Sequence, residues 1–224
     1  AKNEVLQDAI DIYKTVPRTK GLSVHVLTGP IYVEGAAPGD MLEVRIHNLE
    51  LRVPYGVNNS GPTSGVLPGL LSAPAPKIIK LDLARNVALF SPEIEVPLQP
   101  FMGIMAVAPS RDSWLISSRP PSRWGGNMDF NRLTTGATLY LPVFHKGAQF
   151  FTGDSHAVQA DGDVVLRAHD PVARIDGAPP ARIRPKSISC RSLSRGVPRV
   201  RTPTPSASST ASKRVRWPWI RIGF

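Results

Sequence analysis

Several residue types and motifs are scarce in this sequence of 224 residues, and their scarcity limits what the protein can be. A single cysteine, Cys190, leaves no partner for an internal disulfide and no thiol pair for dithiol redox chemistry. No run of about 18 apolar residues occurs, so we predict no transmembrane helix. The GxSxG elbow of serine hydrolases and the GK[ST] phosphate loop are also missing. The compartment stays open, although the cytoplasm is favoured because no signal peptide is visible.

Positive charge is concentrated at one end of the chain. The net charge is +10, from 27 Lys and Arg against 17 Asp and Glu. Residues 167–224 hold 13 of the basic and 2 of the acidic side chains, which leaves residues 1–166 with 14 and 15. We therefore predict a near-neutral domain over 1–166 and a basic Pro/Ser/Arg-rich tail over 167–224 that is largely disordered. Nucleic acid is expected to bind only non-specifically, through that tail.

The hydropathy pattern predicts a β-rich, mixed α/β fold. The 23 prolines favour short strands and turns over long helices. Apolar residues at helical spacing predict a short helix over residues 3–13. Residues 41–47 (MLEVRIH) alternate as a strand with one wet face does, and residues 101–108 (FMGIMAVA) predict a strand buried on both faces. Residues 53–76 and 120–129, which are rich in Gly and small polar residues, are predicted to be loops.

The densest group of reactive side chains lies in residues 153–163, GDSHAVQADGD. If this segment is a strand, Asp154 and His156 project from the same face and could share one metal ion. Carboxylates beside an imidazole also suit general acid–base chemistry. The alternative is a polar turn with a capping Asp and a solvated His, which is the commoner structure for such a composition. The other polar side chains of the segment are Gln159, Asp161 and Asp163.

Two further segments carry candidate site residues. In WGGNMD, Gly125 and Gly126 could bring backbone N–H groups close to a ligand, and Asn127 and Asp129 supply an amide and a carboxylate. A turn in which Asn and Asp bond their own backbone explains the same residues. His25 stands at the start of a predicted strand, where a lone histidine is more often structural.

The order and spacing of five blocks carry a family resemblance. HVLTGPIYVEGAAPGDMLEV, VPYGVNN, PFMGIMAVAP, WGGNMD and LYLPVFHKGAQFFTGDSHAVQADGDV follow one another within about residues 20 to 165. Together they closely resemble the acetamidase/formamidase family. The resemblance implies a sandwich-like β core, a homo-oligomer, a bound divalent metal, and hydrolysis of small linear amides to a carboxylate and ammonia. Zinc is the expected metal, and calcium is the alternative because several of the candidate ligands are oxygens.

The resemblance also implies roles for individual residues. The candidate metal ligands are Asp154, His156, Asp129 and His25. The candidate catalytic residues are Asp161, Asp163 and Gln159, and the candidate substrate-binding residues are Gly125, Gly126 and Asn127.

The sequence departs from the family pattern in and around its best motif. Ala160 stands where the family usually has Gly, and Asp163 where it usually has Glu. The pattern is lost after about residue 165, and the chain begins inside the family's N-terminal region. These departures suggest a frameshift near codon 165, and a catalytically inactive, truncated remnant of the family as the alternative to an active amidase.

Overall fold

The computed structural model describes residues 5–17, 25–63, 69–110, 116–160, 174–177 and 188–193. These residues form one helix and twelve strands, so the prediction of a β-rich fold is confirmed. No helix among them is both long and apolar enough to cross a membrane. The elements are α1 (Gln7–Thr15), β1 (Leu27–Ile31), β2 (Met41–Ile46), β3 (Tyr55–Ser60), β4 (Ala75–Asp82), β5 (Val87–Ser91), β6 (Ile94–Pro97), β7 (Phe101–Ala106), β8 (Gly125–Asn127), β9 (Thr138–Pro142), β10 (Phe150–Gln159), β11 (Arg174–Gly177) and β12 (Ile188–Leu193).

Twelve strands form two antiparallel sheets. The larger sheet has the order β6-β5-β4-β3-β11-β10-β7-β8, with β1 also paired to β10. The smaller sheet has the order β12-β2-β9. Strand β10 is ten residues long and pairs with β7 along one edge and with β1 and β11 along the other. This strand is therefore the most connected element of the larger sheet.

A hydrophobic cluster joins the two sheets and forms a sandwich-like core. Leu42, Val44 and Ile46 alternate along β2 and are fully or almost fully buried, as the period-two pattern predicts. All six residues of β7 are buried, which confirms the prediction of a strand covered on both faces. Leu141 of β9 and Phe150 of β10 belong to the same cluster. The site described below is built on the β7 and β10 side of this core.

Two of the predicted loops contain strands, so these predictions are wrong in part. Residues 53–76 include β3, which pairs with the start of β4 despite the low strand propensity of Asn58 and Asn59. Residues 120–129 include β8, which pairs with β7. In both segments the hydrogen bonds to a distant strand stabilise a conformation that the local composition disfavours. The helix, in contrast, lies close to its predicted place.

Ten residues of the tail, which was predicted to be largely disordered, form strands. Strands β11 and β12 lie within residues 167–224, and the rest of that range is outside the described residues. Strand β12 pairs with β2 over six residues, and Ile188 and Cys190 pack on the hydrophobic cluster. Arg191 donates two hydrogen bonds of 2.8 Å to the carboxylate of Glu43 on β2. These contacts join part of the basic region to the domain.

Candidate metal centre

Asp129, Asp154 and His156 converge next to β7. Their ligand atoms all lie within 4.8 Å of one another. Nε2 of His156 is 3.1 Å from Oδ1 of Asp129 and 3.5 Å from Oδ2 of Asp154. Asp154 and His156 lie two residues apart on β10, so residues 153–159 form a strand and not the alternative polar turn, and both side chains lie beside the same site. The structure thus brings together three of the four predicted metal ligands.

Glycine at position 103 on β7 creates the space in which these groups meet. A Cβ atom there would lie 2.6 Å from both Oδ1 of Asp129 and Nε2 of His156, and 3.0 Å from the carbonyl oxygen of Asp154. Those distances are too short for any side chain to be accommodated without displacing the cluster. Gly103 was not among the predicted site residues, because the sequence shows it only as one small residue in an apolar run.

Both aspartates of the cluster adopt a backbone conformation that L-residues rarely use. The φ angle is 43° at Asp129 and 52° at Asp154, in the left-handed region, where a residue with a side chain is strained by about 1–2 kcal/mol. Such strain persists only where surrounding contacts impose it, and it is frequent at functional sites. At Asp129 these contacts are visible, since its N–H and that of Met128 both donate to the carbonyl oxygen of Gly103.

Gln159 secures the same loop from the end of β10. Its Nε2 donates to the backbone carbonyl of Asp129 at 2.6 Å, and Asn131 donates from its amide to the backbone carbonyl of Gln159 at 3.1 Å. The Gln159 side chain thus contacts the backbone of a candidate ligand. The hydrogen bond ties Gln159 to the backbone of Asp129, and the direct catalytic role of Gln159 stays a prediction.

The imidazole of His156 is fixed by burial and by an aromatic neighbour. The residue is fully buried, and its ring stacks on Phe101 with centroids 4.6 Å apart and planes 8° apart. The two residues are also partners in the pairing of β7 with β10. The ring is thereby held with Nε2 directed at the two carboxylates. Phe101 was missed by the sequence analysis because its hydrophobic character suggested only a place in the core.

His25 lies beside the cluster as a fourth candidate ligand. Its Nε2 is 3.7 Å from Oδ2 of Asp154, and both side chains are nearly buried, at 13% and 12% exposure. Its other ring nitrogen, Nδ1, is 2.7 Å from Oγ of Ser118. His25 therefore lies next to Asp154 but outside the group of three whose ligand atoms are all within 4.8 Å of one another. Ser118 was not predicted, since nothing in its local sequence distinguishes it.

Two side-chain amides next to the cluster have a buried oxygen without a hydrogen-bond partner among the described residues. These atoms are Oδ1 of Asn127 and Oε1 of Gln159. The nitrogen of Asn127 donates to Oδ2 of Asp129 at 3.3 Å, and a flipped amide would place two acceptors against each other. A buried acceptor that lacks a donor costs about 1–3 kcal/mol, so such atoms point to a missing N–H or O–H donor.

The remaining predicted site residues have different positions. Gly125 and Gly126 lie on β8 with φ angles of 88° and 110°, and a Cβ at Gly125 would collide with the carbonyl oxygen of Met105. The N–H of Gly125 donates to the carbonyl of Ser122 at 2.9 Å, and the substrate-binding role of Gly125 and Gly126 stays a prediction. Asp161 and Asp163 lie outside the described residues, and their catalytic roles stay predictions.

The chemistry of the cluster fits a divalent cation. Two carboxylates converge with only 10% and 12% of their side chains exposed, and such an arrangement is costly unless positive charge is close. Because residue 103 is a glycine, it places no side chain of its own between Asp129 and His156. Asp oxygens and His nitrogens are ligands that zinc accepts. Asp129, Asp154, His156 and, beside them, His25 are the residues that could hold such an ion.

Comparison with known proteins agrees with the family resemblance of the sequence and with this fold. The family model described as the Acetamidase/Formamidase family matches residues 8–117 and 115–169. The chain is 28% identical over 202 residues to an acetamidase from Mycolicibacterium smegmatis, covering 62% of this chain and 49% of that protein. It is 26% identical over 194 residues to a formamidase from Methylophilus methylotrophus, covering 64% and 48%. The chain thus spans about half the length of the curated relatives that it matches.

Solved structures show the same relationship. A predicted acetamidase/formamidase from Thermoanaerobacter tengcongensis superposes with a TM-score of 0.63 at 31% identity, over 76% of this chain and 51% of that one. An acetamidase from Bacillus halodurans gives a TM-score of 0.60 at 31% identity, over 74% and 50%. The matched family model extends over well more than half of the sequence and includes every residue of the described cluster. The chain therefore belongs to the acetamidase/formamidase family.

Proposed function

We propose that this chain carries the hydrolytic centre of an amidase that cleaves the C–N bond of small linear amides, releasing a carboxylate and ammonia. The observation that carries the proposal is the convergence of Asp129, Asp154 and His156 on the space that Gly103 leaves free. The names of the relatives, acetamidase and formamidase, supply the substrate class.

We further propose that the ion held by this cluster is zinc. Two carboxylates and one imidazole form the cluster, with a second imidazole, that of His25, next to Asp154, and this is the mixture of oxygen and nitrogen ligands that zinc uses. Calcium is the weaker candidate because it takes 6–8 oxygen ligands, and the cluster offers two carboxylates. A bound divalent ion supplies Lewis-acid polarisation of the amide carbonyl and activation of water.

The protein's own groups would bind and orient the substrate. Oδ1 of Asn127 is a buried acceptor beside Asp129, and the N–H of a primary amide is a donor of matching chemistry. Gln159 and the carbonyl of Gly103 hold the loop on which Asn127 and Asp129 stand. Asp161 or Asp163 is proposed to take a proton from water and pass it to the leaving ammonia, as the resemblance implies.

Ammonia release from formamide and acetamide by the purified 224-residue chain tests the proposal. Activity should disappear after chelation and return with zinc. Asp129→Asn should abolish both zinc binding and turnover, whereas Glu93→Gln, which neutralises an exposed carboxylate in the turn before β6, should leave both unchanged. Stoichiometric zinc binding without turnover of either amide would support the alternative of an inactive family member. Absence of zinc binding in the intact chain would refute the metal centre.

We also propose that the chain forms a homo-oligomer, which is supported by the family resemblance alone. Light scattering coupled to size-exclusion chromatography measures the mass in solution. A mass equal to that of one 24.3 kDa chain at micromolar concentration would refute this proposal.

A further inference from the structure

The outer face of the smaller sheet holds more positive charge than its one carboxylate neutralises. Glu43 and Arg45 of β2 alternate with buried Val44, so they lie on the face opposite to the hydrophobic cluster. The Glu43 side chain is only 2% exposed and accepts hydrogen bonds from Arg191 and Arg45. Arg191 donates to both carboxylate oxygens, whereas Arg45 donates through Nε alone. One carboxylate thus lies between two guanidinium groups, and one positive charge is left in excess.

The guanidinium group of Arg45 lies at a groove between the end of β2 and the start of β9. The Arg45 side chain is 50% exposed, and its two Nη groups have no hydrogen-bond partner among the residues that the structure describes. The groove has a volume of about 390 Å³, and its lining includes Arg45, His47, Thr135 and Thr138. No acidic residue is found among the described residues that line it. Small-molecule sites have volumes of about 300–1,000 Å³, so the groove is large enough for a small ligand.

The groups around Arg45 are further hydrogen-bond donors. Thr138 on β9 and Ser189 on β12 are both strand partners of Arg45, so the three side chains are neighbours on one face. Nε2 of His47 is 2.7 Å from Oγ of Ser189, which fixes the imidazole at the edge of the groove. The hydroxyl oxygen of Thr135 accepts a backbone N–H at 3.1 Å, and its own O–H is left to donate. The groove therefore combines a guanidinium, an imidazole and hydroxyl groups.

We propose that this groove binds one oxyanion group of a small molecule, a phosphate or a carboxylate, with Arg45 as its main ligand. The two Nη groups of an arginine lie in one plane and match the oxygens of either anion. Arg191 neutralises Glu43, while Glu43 orients Arg45 through its Nε. A single excess charge suits one anionic group and not a nucleic acid, which requires a row of cations. No candidate metal ligand lines the groove as described, so the inference is independent of the proposed amidase centre.

The test is an NMR titration of the full chain with inorganic phosphate and, separately, with acetate. Saturable shifts of the amide signals of Gly136 and Thr138 are expected at millimolar anion. Arg45→Gln should weaken binding by about 10- to 100-fold, which is the effect of losing hydrogen bonds to a charged group. The matched control is Arg85→Gln, which removes a similarly exposed arginine that is paired with Glu95 on the larger sheet. This control should bind the anion as the unmodified chain does.

A second variant separates binding from effects on the Glu43 network. Thr138→Val leaves the hydrogen bonds of Glu43 intact and should weaken binding several-fold. Saturation by phosphate alone, by acetate alone or by both would support the proposal and identify the anion. Absence of saturable shifts with either salt would overturn it, as would equal affinity in Arg45→Gln and the unmodified chain, because the anion would then bind at the metal centre or to the basic residues 194–224. Asp129→Asn should bind the anion normally, so a failure of the amidase proposal is detected separately.

Discussion

Replacing Gly103 by alanine is the sharpest test of the site, because the change is a single methyl group placed at its centre. The new Cβ would lie 2.6 Å from Oδ1 of Asp129 and from Nε2 of His156, about 0.8 Å short of the 3.4 Å at which ordinary contact begins. The φ angle at Gly103 is outside the left-handed region, so the backbone itself accepts alanine. The effect of Gly103→Ala is therefore steric.

The neighbours of Gly103 differ in how far they can yield. His156 is fully buried and stacked on Phe101, and the carbonyl of Asp154 belongs to β10, so neither can move freely. The carboxylate of Asp129 is the group that can rotate away. Overpacking of this kind costs about 1–3 kcal/mol of stability. Displacing a ligand by about 1 Å should also lower kcat/KM by about 100-fold.

Three measurements on Gly103→Ala and a control decide the matter: zinc affinity, ammonia release and the midpoint of thermal unfolding. The control is Ala88→Val, which overpacks a fully buried position of the second hydrophobic cluster on β5, a strand that carries none of the candidate metal ligands. Both variants should unfold at lower temperature, but only Gly103→Ala should lose zinc affinity and turnover. Unchanged zinc affinity in a folded Gly103→Ala protein would refute the assignment of the space beside Gly103 to an ion.

Three further predictions concern the loop at Asp129 and the docking of β12. Gln159→Ala removes the donor to the Asp129 carbonyl and should weaken zinc binding by about tenfold. Gln159→Asn, whose amide is one methylene shorter, should recover little of that affinity. Equal zinc affinity in the unmodified chain and both variants would contradict the idea that Gln159 holds Asp129 in place. Hydrogen bonds from Arg191, helped by Arg45, lower the pKa of Glu43 from 4.5 to about 2. The stabilisation that ionised Glu43 gives the fold is therefore present above about pH 4.5 and is lost as the pH falls towards 2. In Glu43→Gln the stability measured by circular dichroism should depend less on pH over that window, and identical pH profiles for the two proteins would argue against the ion pair. Burial raises the pKa of the Cys190 thiol to about 12, so the thiol should react slowly with a disulfide reagent. The reaction should be faster in Arg191→Ala, because loss of the ion pair with Glu43 weakens the pairing of β12 with β2. Fast labelling of the unmodified chain would mean that β12 is not held on β2.

The sequence predicted those parts of the site that depend on local spacing. Asp154 and His156 lie two residues apart on one strand, and this spacing correctly predicted that they lie in one cluster. Asn127 and Asp129 were found because a short motif contains both. Gly103, Phe101 and Ser118 were missed because their importance comes from what faces them across the sheet or from a distant loop. The sequence around a glycine in an apolar run does not indicate which carboxylate will lie next to it in the fold.

The errors in the fold have the same origin. Strands β3 and β8 are composed of Gly, Asn and other residues that favour turns, and only their pairing with β4 and β7 makes them extended. The sequence analysis did not predict strand β12. It lies in a region of basic composition, and the alternation of Ile188 and Cys190 with Arg191 is too short to indicate a strand. Its register depends on Glu43, a buried carboxylate that lies nearly 150 residues earlier.

The candidate ligands of the cluster lie on two kinds of structural element, a central strand and a loop, and this difference affects how the family could diverge. Asp154 and His156 stand on β10, whose three neighbouring strands would all be disturbed by an insertion. Asp129 and Asn127 lie at the end of β8 and in the loop after it, and Ser118 lies in the segment before β8. Changes in length or composition between β7 and β8 would alter the surroundings of the centre while the loop that carries Asp129 and the strand that carries Asp154 and His156 stay unchanged. Related enzymes should therefore exchange one amide for another by varying the segment between β7 and β8, and laboratory evolution of substrate range is best directed to the same stretch.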